Sequence, residues 1–228
     1  MFSRFRRENK KNSPRHLRHW SNFKSFLKLR PFAVKKTMAK TIGILALQGD
    51  FAKHSEHIRQ LGATVILVKK PVDLAPCAGL IIPGGESTTM TKLMDIYGLY
   101  EPLRAFAREH SVLGTCAGLI MVARQVDDDR VKPLDLIDIS VSRNAYGRQI
   151  DSFSTELFIP FLNGSGPFHA VFIRAPQILA TGPQVKILVE FNNQPVMLRN
   201  KHVIALAFHP ELTRDSRVHE YFLKECGE

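Results

Sequence analysis

The sequence has few cysteines and no long apolar run. Its 228 residues include only Cys77, Cys116 and Cys226, widely spaced and without a C-x-x-C pair. This spacing fits neither a disulfide framework nor a zinc site, so we expect no bound metal and at least one free thiol. No stretch approaches the roughly 20 apolar residues that span a bilayer, and no secretory signal is present. We therefore expect a cytoplasmic protein without a membrane segment.

Most of the chain also lacks an excess of charge. The formal net charge is +11, but residues 1–37 contain 12 Lys and Arg against one acid, Glu8. The remaining 191 residues hold 20 basic and 20 acidic side chains. Because clustered cations are what bind phosphates and anionic membranes, residues 38–228 show no signature of nucleic acid or membrane binding.

The basic segment over residues 1–37 has three interpretations. It is Arg-rich and acid-poor, which is typical of a cleaved organelle presequence. It also fits a basic tail that binds an anionic surface. The third interpretation is that it is upstream sequence not normally translated, because Met38 opens "MAKTIGILALQGD", where a strand begins a compact domain. We expect one folded domain over residues 38–228.

From Lys40 onward, short β-branched apolar runs alternate with amphipathic stretches. This alternation predicts an α/β fold with three layers, in which helices flank a mostly parallel central sheet. After "DDDR", interpreted as a solvated acidic loop, strand-like pieces dominate, so the second half is predicted to be β-rich. The predicted strands are "TIGILAL", "TVILV", "GLIIP", "SVLG", "DLIDISVSR", "STELFIP", "AVFIRAP", "VKILVEF", "PVMLRN" and "HVIALAFHP". The predicted helices are "FAKHSEHIRQLG", "STTMTKLMDIYG", "EPLRAFAREH", "AGLIMVA" and "SRVHEYFLKECG".

Cys116 lies in the pattern G-x-C-x-G, between Gly114 and Gly118. This pattern is the cysteine counterpart of the nucleophile elbow, a sharp strand-to-helix turn whose crowded backbone requires small flanking residues. The start of a helix also favours a thiolate over a thiol. The alternative is a small buried cysteine in a tightly packed turn. A nearby base would favour catalysis.

His209 is the histidine best placed to act as that base. It follows a six-residue apolar strand, at the strand end where α/β folds collect active residues, and Glu211 could fix its tautomer. A solvated surface turn is the alternative. The other histidines are assigned to the basic segment (His16, His19), to surface helices (His54, His57, His110, His219) and to loops or strand edges (His169, His202).

A third candidate element is "PGGES", residues 83–87, after an apolar strand. Its glycines expose backbone N–H groups, which suit an oxyanion hole, where one donor contributes about 3 kcal/mol to transition-state stabilisation. A phosphate cradle is the alternative, but no Gly-Lys-Ser/Thr ending follows.

Three segments, "LGTCAGLI", "PGGESTT" and "FHPEL", resemble those of class I (triad) glutamine amidotransferases. The strings "LALQGDFAKH", "RNAYGRQIDSF" and "VFIRAP" are similar to the glutaminase subunits of pyridoxal 5'-phosphate synthase in particular. The resemblance runs from about Thr41 to Leu223 and implies that residues 38–228 form a glutaminase domain.

The resemblance implies a role for each matching residue. Cys116 would attack the side-chain amide of L-glutamine, His209 would transfer protons, and Glu211 would orient His209. The N–H groups of Gly85 and Ala117 would form the oxyanion hole. The substrate would be bound by Gly85, Glu86, Ser87, Arg143, Ile173 and Arg174.

The resemblance also implies a partner in a hetero-oligomeric complex. Ammonia would pass through a channel to a synthase subunit that makes pyridoxal 5'-phosphate, which is then a product and not a cofactor of this chain. Glutaminase activity would stay low until the partner docks and "PGGES" adopts oxyanion geometry. Gln48 would lie at that interface, although a polar loop and helix cap explain Gln48 and Asp50 equally well.

Rival interpretations remain at this point. A glutaminase serving imidazole glycerol phosphate synthesis, or a γ-glutamyl hydrolase, would share the elbow and the His-x-Glu pair. "RNAYGRQIDSF" and "VFIRAP" argue against both. A non-catalytic docking subunit is opposed by the intact Cys116, His209 and Glu211.

Overall fold

The computed structural model describes residues 39–143, 152–164 and 166–227, and its centre is a seven-stranded sheet. The strand order is β10-β11-β12-β4-β3-β1-β2. These strands are β1 (Thr41–Leu45), β2 (Thr64–Val68), β3 (Gly79–Ile82), β4 (Ser111–Thr115), β10 (Lys186–Phe191), β11 (Gln194–Asn200) and β12 (Val203–Leu206).

The five strands from β12 to β2 run parallel, and β11 and β10 continue the sheet antiparallel. The chain steps outward from β1 to β2, then crosses back over β1 to β3 and continues to β4. Winding therefore reverses between β1 and β3, and the crevice beyond the carboxyl ends of such strands is where open α/β sheets bind ligands.

Five helices accompany this sheet in the described part of the chain. They are α1 (Phe51–Gln60), α2 (Ser87–Ile96), α3 (Tyr100–Ala107), α4 (Ala117–Val122) and α5 (Arg217–Glu225), with 3-10 turns at Pro71–Leu74 and Pro210–Leu212. Helix α1 packs on β1, β2 and α5, whereas α2 packs on α4. Gly62 ends the first helix with a φ of 81°, as expected of a glycine beyond a helix terminus. No helix among the described residues is long and apolar enough to cross a membrane.

The β-rich second half supplies two small sheets. One contains β5 (Ala123–Val126), β6 (Ile137–Ser142) and β9 (Gln177–Thr181), and the other pairs β7 (Ser152–Leu157) with β8 (Phe168–Ile173). The sequence did not predict β5 or β9 and assigned Ala123 to a helix. Strand β5 has the sequence ARQV with two exposed polar residues, which masks its strand character. The predicted fold class is confirmed.

The central parallel strands form the core. All residues of β3, β4 and β12 are buried, as expected of strands covered on both faces. This core fixes the strand ends from which the predicted site residues project. Residues 1–38 lie outside the described part, so the hypotheses about them, including the interpretation of His16 and His19, stay predictions.

Candidate active site

Cys116 occupies a strained turn between β4 and α4. Its φ and ψ are 51° and −106°, although it has a Cβ. A Cβ at Gly118 would lie 1.9 Å from the carbonyl oxygen of Ile82, and one at Gly114 would lie 2.6 Å from that of Gly118. The two glycines are therefore required by backbone contact, as the elbow prediction stated. Such strain persists where the surroundings enforce it, and it is concentrated at functional sites.

His209 and Glu211 form a buried pair at the end of β12. Nδ1 of His209 lies 2.7 Å from Oε1 of Glu211, and their exposed fractions are 7% and 3%. Because a carboxylate only accepts hydrogen bonds, Nδ1 carries the proton. The backbone N–H of His209 also donates to the carbonyl of Val171 at 2.8 Å, and this bond connects the end of β12 to β8.

The charges around His209 stabilise its imidazolium. Burial alone would lower the pKa of His209, but the interactions with Cys116 and Glu211 outweigh burial and raise it. Burial likewise works to raise the pKa of Glu211, but the hydrogen bond from His209 and the nearby His54 bring it below its usual value. The raised pKa makes His209 a stronger proton acceptor at this site.

Cys116 and His209 face each other across Gly84. A Cβ at Gly84 would lie 2.5 Å from Cε1 of His209 and 3.4 Å from Cβ of Cys116. Nε2 of His209 is buried and has no hydrogen-bond partner among the described residues. The Cys116 thiol meanwhile donates to the carbonyl of Ile173 at 3.6 Å. The second nitrogen of His209 is thus held beside the thiol without being used by another residue.

These residues line a pocket of about 350 Å³ at the crevice between β1 and β3. The structure brings every predicted site residue except Glu211 into its wall, and Glu211 lies behind His209. The predicted residues in the wall are Gly85, Glu86, Ser87, Cys116, Ala117, Arg143, Ile173, Arg174 and His209. The roles given to them by the resemblance stay predictions.

Ser87 and Glu86 differ in how they meet the pocket. Ser87 Oγ is buried and has no hydrogen-bond partner in the described part of the chain. Glu86 caps α2, accepting from the N–H groups of Thr88 and Thr89. Burial would raise the pKa of Glu86, but these hydrogen bonds, with those from the threonine hydroxyls, lower it to about 2. Ser87 is therefore free to meet a ligand, whereas Glu86 is an anionic anchor.

Arg143 is held in the pocket wall by acidic groups that the sequence did not connect to it. Its guanidinium pairs with Asp128 at 2.8 Å and with Glu86. Its backbone N–H donates to the carboxylate of Asp127 at 2.8 Å. The interpretation of "DDDR" as a solvated loop is wrong for Asp128, whose side chain is 11% exposed. Hydrogen bonds from Arg130 and then Arg143 hold the pKa of Asp128 well below its usual value. Residues 144–151 of "RNAYGRQIDSF" lie outside the described residues.

Gln48 fixes the loop that follows β3. Its carboxamide accepts from the Glu86 N–H at 3.0 Å and donates to the Glu86 carbonyl at 3.3 Å. Gly85 has a φ of 146°, and a Cβ there would lie 2.5 Å from Gln48. Asp50 occupies the N-cap position of α1 but makes no side-chain capping bond. Gln48 thus controls the backbone that carries the predicted oxyanion donor.

The assignment of His54, His57 and His219 to surface helices is wrong. The helices are present, but the three side chains are 0%, 6% and 0% exposed and form a buried cluster beside Glu211. In α1, His54 and His57 were predicted to be solvated because histidine counts as a polar residue when apolar periodicity is assessed. The signal was available, since Phe51, His54, Ser55 and Ile58 follow the spacing of one helix face. His110, the fourth in that group, lies beyond α3 and is partly exposed.

The fold and the pocket together define a class of protein. It is an α/β protein in which a cysteine at a strand-to-helix turn lies beside a buried histidine–glutamate pair, at the carboxyl edge of a parallel sheet.

Comparison with known proteins identifies the family within this class. Residues 44–228 match the SNO glutamine amidotransferase family, and the chain belongs to that family. It is 48% identical over 183 residues to the pyridoxal 5'-phosphate synthase subunit PdxT of Desulforudis audaxviator, covering 80% of this chain and 96% of that protein. It is 49% identical over 188 residues to PdxT of Fervidobacterium nodosum, covering 82% and 97%.

Solved structures share this fold. A crystal structure of a glutamine amidotransferase matches with a TM-score of 0.75 and 41% identity, covering 82% of this chain and 99% of that one. The structure of PurLQS from Thermotoga maritima matches with a TM-score of 0.56 at 14% identity, covers 82% and 98%, and shows the shared fold alone.

Proposed function

We propose that this chain hydrolyses L-glutamine to L-glutamate and ammonia through a thioester on Cys116. We further propose that the ammonia passes to a pyridoxal 5'-phosphate synthase subunit bound to this chain. The family membership and the names of the two PdxT relatives support the reaction class and the partner. The pocket supports the assignment of residues.

The first half of the reaction forms the thioester. The Cys116 sulfur attacks the side-chain amide carbon of glutamine, and its proton goes to Nε2 of His209. The imidazolium then gives this proton to the amide nitrogen, the C–N bond breaks, and ammonia leaves. Glu211 keeps the proton of Nδ1 in place throughout, so that Nε2 alone exchanges protons with the reacting atoms.

The second half releases glutamate. Water attacks the thioester carbon while Nε2 of His209 removes one of its protons, the C–S bond breaks, and the departing sulfur takes that proton from His209. In both halves negative charge develops on the former amide oxygen. The N–H of Ala117, which as the first residue of α4 has no acceptor within the helix, and that of Gly85 are the proposed donors.

The same pocket would hold the amino-acid end of glutamine. Arg143 offers a planar guanidinium whose fork can pair both oxygens of an α-carboxylate. Glu86 and Asp128 orient that guanidinium and supply negative charge near the substrate's ammonium group. Ser87 Oγ, and the backbone at Ile173 and Arg174, provide polar groups on the remaining wall.

The observation that carries this proposal is the state of His209. One nitrogen is bonded to a buried carboxylate at 2.7 Å, and the other is buried, without a partner among the described residues, beside a cysteine with a strained backbone. This arrangement matches a base oriented toward a thiol nucleophile.

The proposal is tested by measuring glutamate and ammonia release from glutamine, with and without the cognate synthase subunit. We expect slow hydrolysis by the chain alone and strong acceleration when the partner is added, because the Gly85 loop, which Gln48 contacts, would adopt oxyanion geometry only when the partner docks. Cys116→Ala should lower the partner-dependent rate at least about 1000-fold.

Cys77→Ala is the matched control. Cys77 is also buried, but burial raises the pKa of its thiol to about 11, and it donates to the carbonyl of Asp73 at 3.3 Å. It should keep the wild-type rate. Partner-dependent hydrolysis by Cys116→Ala would refute the proposed nucleophile.

A further inference from the structure

Behind the proposed catalytic pair lies the buried histidine cluster formed by His54, His57 and His219. His54 and His57 come from α1, and His219 comes from α5, so the cluster joins the two helices. Burying three imidazoles is costly unless their nitrogens are satisfied by protein groups. The cluster therefore needs a structural or functional explanation.

His54 connects this cluster to Glu211. Its Nε2 lies 3.3 Å from Oε2 of Glu211 and 3.3 Å from the hydroxyl oxygen of Thr115. The contact with Oε2 is close but not fully aligned as a hydrogen bond, and no described residue offers that oxygen a better partner. The other oxygen, Oε1, is bonded to His209. The Glu211 carboxylate is thus placed between two histidines, one on each oxygen.

The charge state of His54 follows from its surroundings. Burial lowers its pKa to about 4, although the Glu211 carboxylate opposes this shift, so the ring is neutral and has one N–H. A carboxylate oxygen and a hydroxyl face Nε2, and a second imidazole faces Nδ1. The titratable groups that act on His54 are Glu211, His209, His57, Asp50 and His219.

The carboxylate selects the tautomer of this neutral ring. If the proton were on Nδ1, the lone pair of Nε2 would face the negative Oε2. With the proton on Nε2, the N–H donates to the Thr115 hydroxyl and lies close to Oε2, and Nδ1 accepts from Nε2–H of His219 at 2.9 Å. Nδ1 of His219 then has only a lone pair, and it is buried without a partner among the described residues.

His57 holds the last ring of this series in place. Its ring stacks on that of His219 with centroids 4.4 Å apart and an interplanar angle of 4°. Its own Nδ1 lies 2.8 Å from the hydroxyl of Ser216, the N-cap residue of α5. Packing between α1 and α5 therefore fixes which ring nitrogens carry protons along the path from His219 through His54 to Glu211.

We infer that His54 is a positioning residue for the proposed glutaminase reaction. Its Nε2–H holds Oε2 of Glu211, which keeps Oε1 on Nδ1 of His209 and leaves Nε2 of His209 as the proton acceptor beside Cys116. His219 serves His54 in the same way, by donating to Nδ1. The inference rests on the proposed function, but it concerns residues that never contact glutamine.

The test compares His54→Gln with His54→Asn in the full chain with its synthase partner. Glutamine can place an amide N–H where Nε2 of His54 stood, whereas asparagine places one only near Nδ1. We expect kcat for glutamine hydrolysis to fall about 10- to 100-fold in His54→Asn, the range typical when a supporting hydrogen-bond partner is lost. His54→Gln should recover most of that loss, and KM should change less than about threefold in both.

A spectroscopic measurement makes the inference independent of activity. The Nδ1 proton of His209 should give a downfield NMR resonance in the wild type and in His54→Gln, and it should be broadened or lost in His54→Asn. Ile58→Ala is the control for a general loss of packing. Ile58 is fully buried on the same helix, and its apolar side chain cannot form a hydrogen bond to Glu211 or His209.

The outcomes separate the two ideas. If the wild type with its partner released no ammonia, the proposed function would fail, and the NMR comparison would still decide whether His54 positions Glu211 and His209. If the asparagine and glutamine variants had equal kcat and equal resonances, His54 would be a packing residue only. A loss of kcat in Ile58→Ala as large as in His54→Asn would also overturn the inference.

Discussion

Histidines lie on both sides of Glu211, and the two sides treat them in opposite ways. On the pocket side, the interactions with Cys116 and Glu211 outweigh burial and raise the pKa of His209. On the α1–α5 side, burial dominates and lowers the pKa values of His54 and His219. One side increases the affinity of His209 for a proton, and the other keeps the rings of His54 and His219 neutral.

The two sides also differ in how their polar atoms are satisfied. Nε2 of His209 and Oγ of Ser87 are buried at the pocket without a partner among the described residues. On the other side, both nitrogens of His54 have close polar neighbours, but Nδ1 of His219 is buried without a partner among the described residues. Unpaired buried polar groups are costly, so their position at a pocket indicates that a ligand completes them. The unpaired atoms on the pocket side can therefore be completed by a ligand, whereas His219 is fully buried and does not line the pocket.

Replacing the residue that both sides share should give the largest effect. Glu211→Gln presents an amide that cannot accept from both histidines, so the tautomer of His209 is no longer fixed. We expect kcat to fall about 1000-fold, as for other buried acids that orient a catalytic histidine. Glu220→Gln, an exposed acid paired with Lys224, is the control. Full activity in Glu211→Gln, measured as ammonia release with the synthase present, would contradict the role given to Glu211.

The opposite pKa shifts predict how stability depends on pH. His54 has a pKa of 6.5 when unfolded and about 4 when folded, so the unfolded chain binds a proton that the folded chain excludes. Because of His54, the free energy of unfolding therefore decreases as pH falls from 6.5 toward 4, by about 3 kcal/mol over the full interval. His209 has the opposite sign, because a raised pKa stabilises the fold below 6.5 and this contribution fades as pH rises.

Urea unfolding at pH 7.5 and pH 5 can separate these contributions. His54→Gln removes one of the ionisable groups on the α1–α5 side and none at the pocket, so its free energy of unfolding should decrease less between the two pH values than that of the wild type. Equal decreases in the two proteins would show that His54 is not the neutral, buried ring described above.

The smallest effects should come from single hydroxyls on the two sides. Ser87→Ala removes an unpaired Oγ from the pocket, so KM for glutamine should rise about threefold while stability stays within about 0.5 kcal/mol of the wild type. Ser55→Ala removes a hydroxyl that donates to the Phe51 carbonyl at 2.7 Å on the histidine side. It should cost about 1 kcal/mol in urea unfolding and leave KM unchanged. The reverse pattern would contradict the division between the sides.

The sequence predicted the residues of the pocket side better than those of the α1–α5 side, for a physical reason. The elbow at Cys116 and the pair His209–Glu211 are contiguous motifs whose geometry is set within a few residues of backbone. The contacts of His54 with Glu211 and of Arg143 with Asp128 depend on how distant segments pack, over 157 and 15 residues of chain. Periodicity treated the histidines of α1 as solvated, although their spacing from Phe51 and Ile58 placed them on the buried face.

The fold shows the same division. Strands with continuous apolar runs, such as β3 and β12, were predicted because burial on both faces leaves an unmistakable pattern. Strands β5 and β9 were missed, since each leaves two or more residues exposed and is stabilised by its pairing with β6. Features set by neighbouring residues could therefore be predicted from the sequence, whereas pairing between distant segments required the structure.

The central claim is that Cys116 is the nucleophile that glutamine reaches in this pocket. Its most direct test is to treat the chain, with its synthase partner, with a glutamine analogue that carries an electrophile at the side-chain carbon, and to map the modified peptide by mass spectrometry. The account predicts one adduct, on Cys116, that glutamine prevents and that Cys77 and Cys226 do not share. An unmodified Cys116, or an adduct on either of the other cysteines that glutamine prevents, would contradict it.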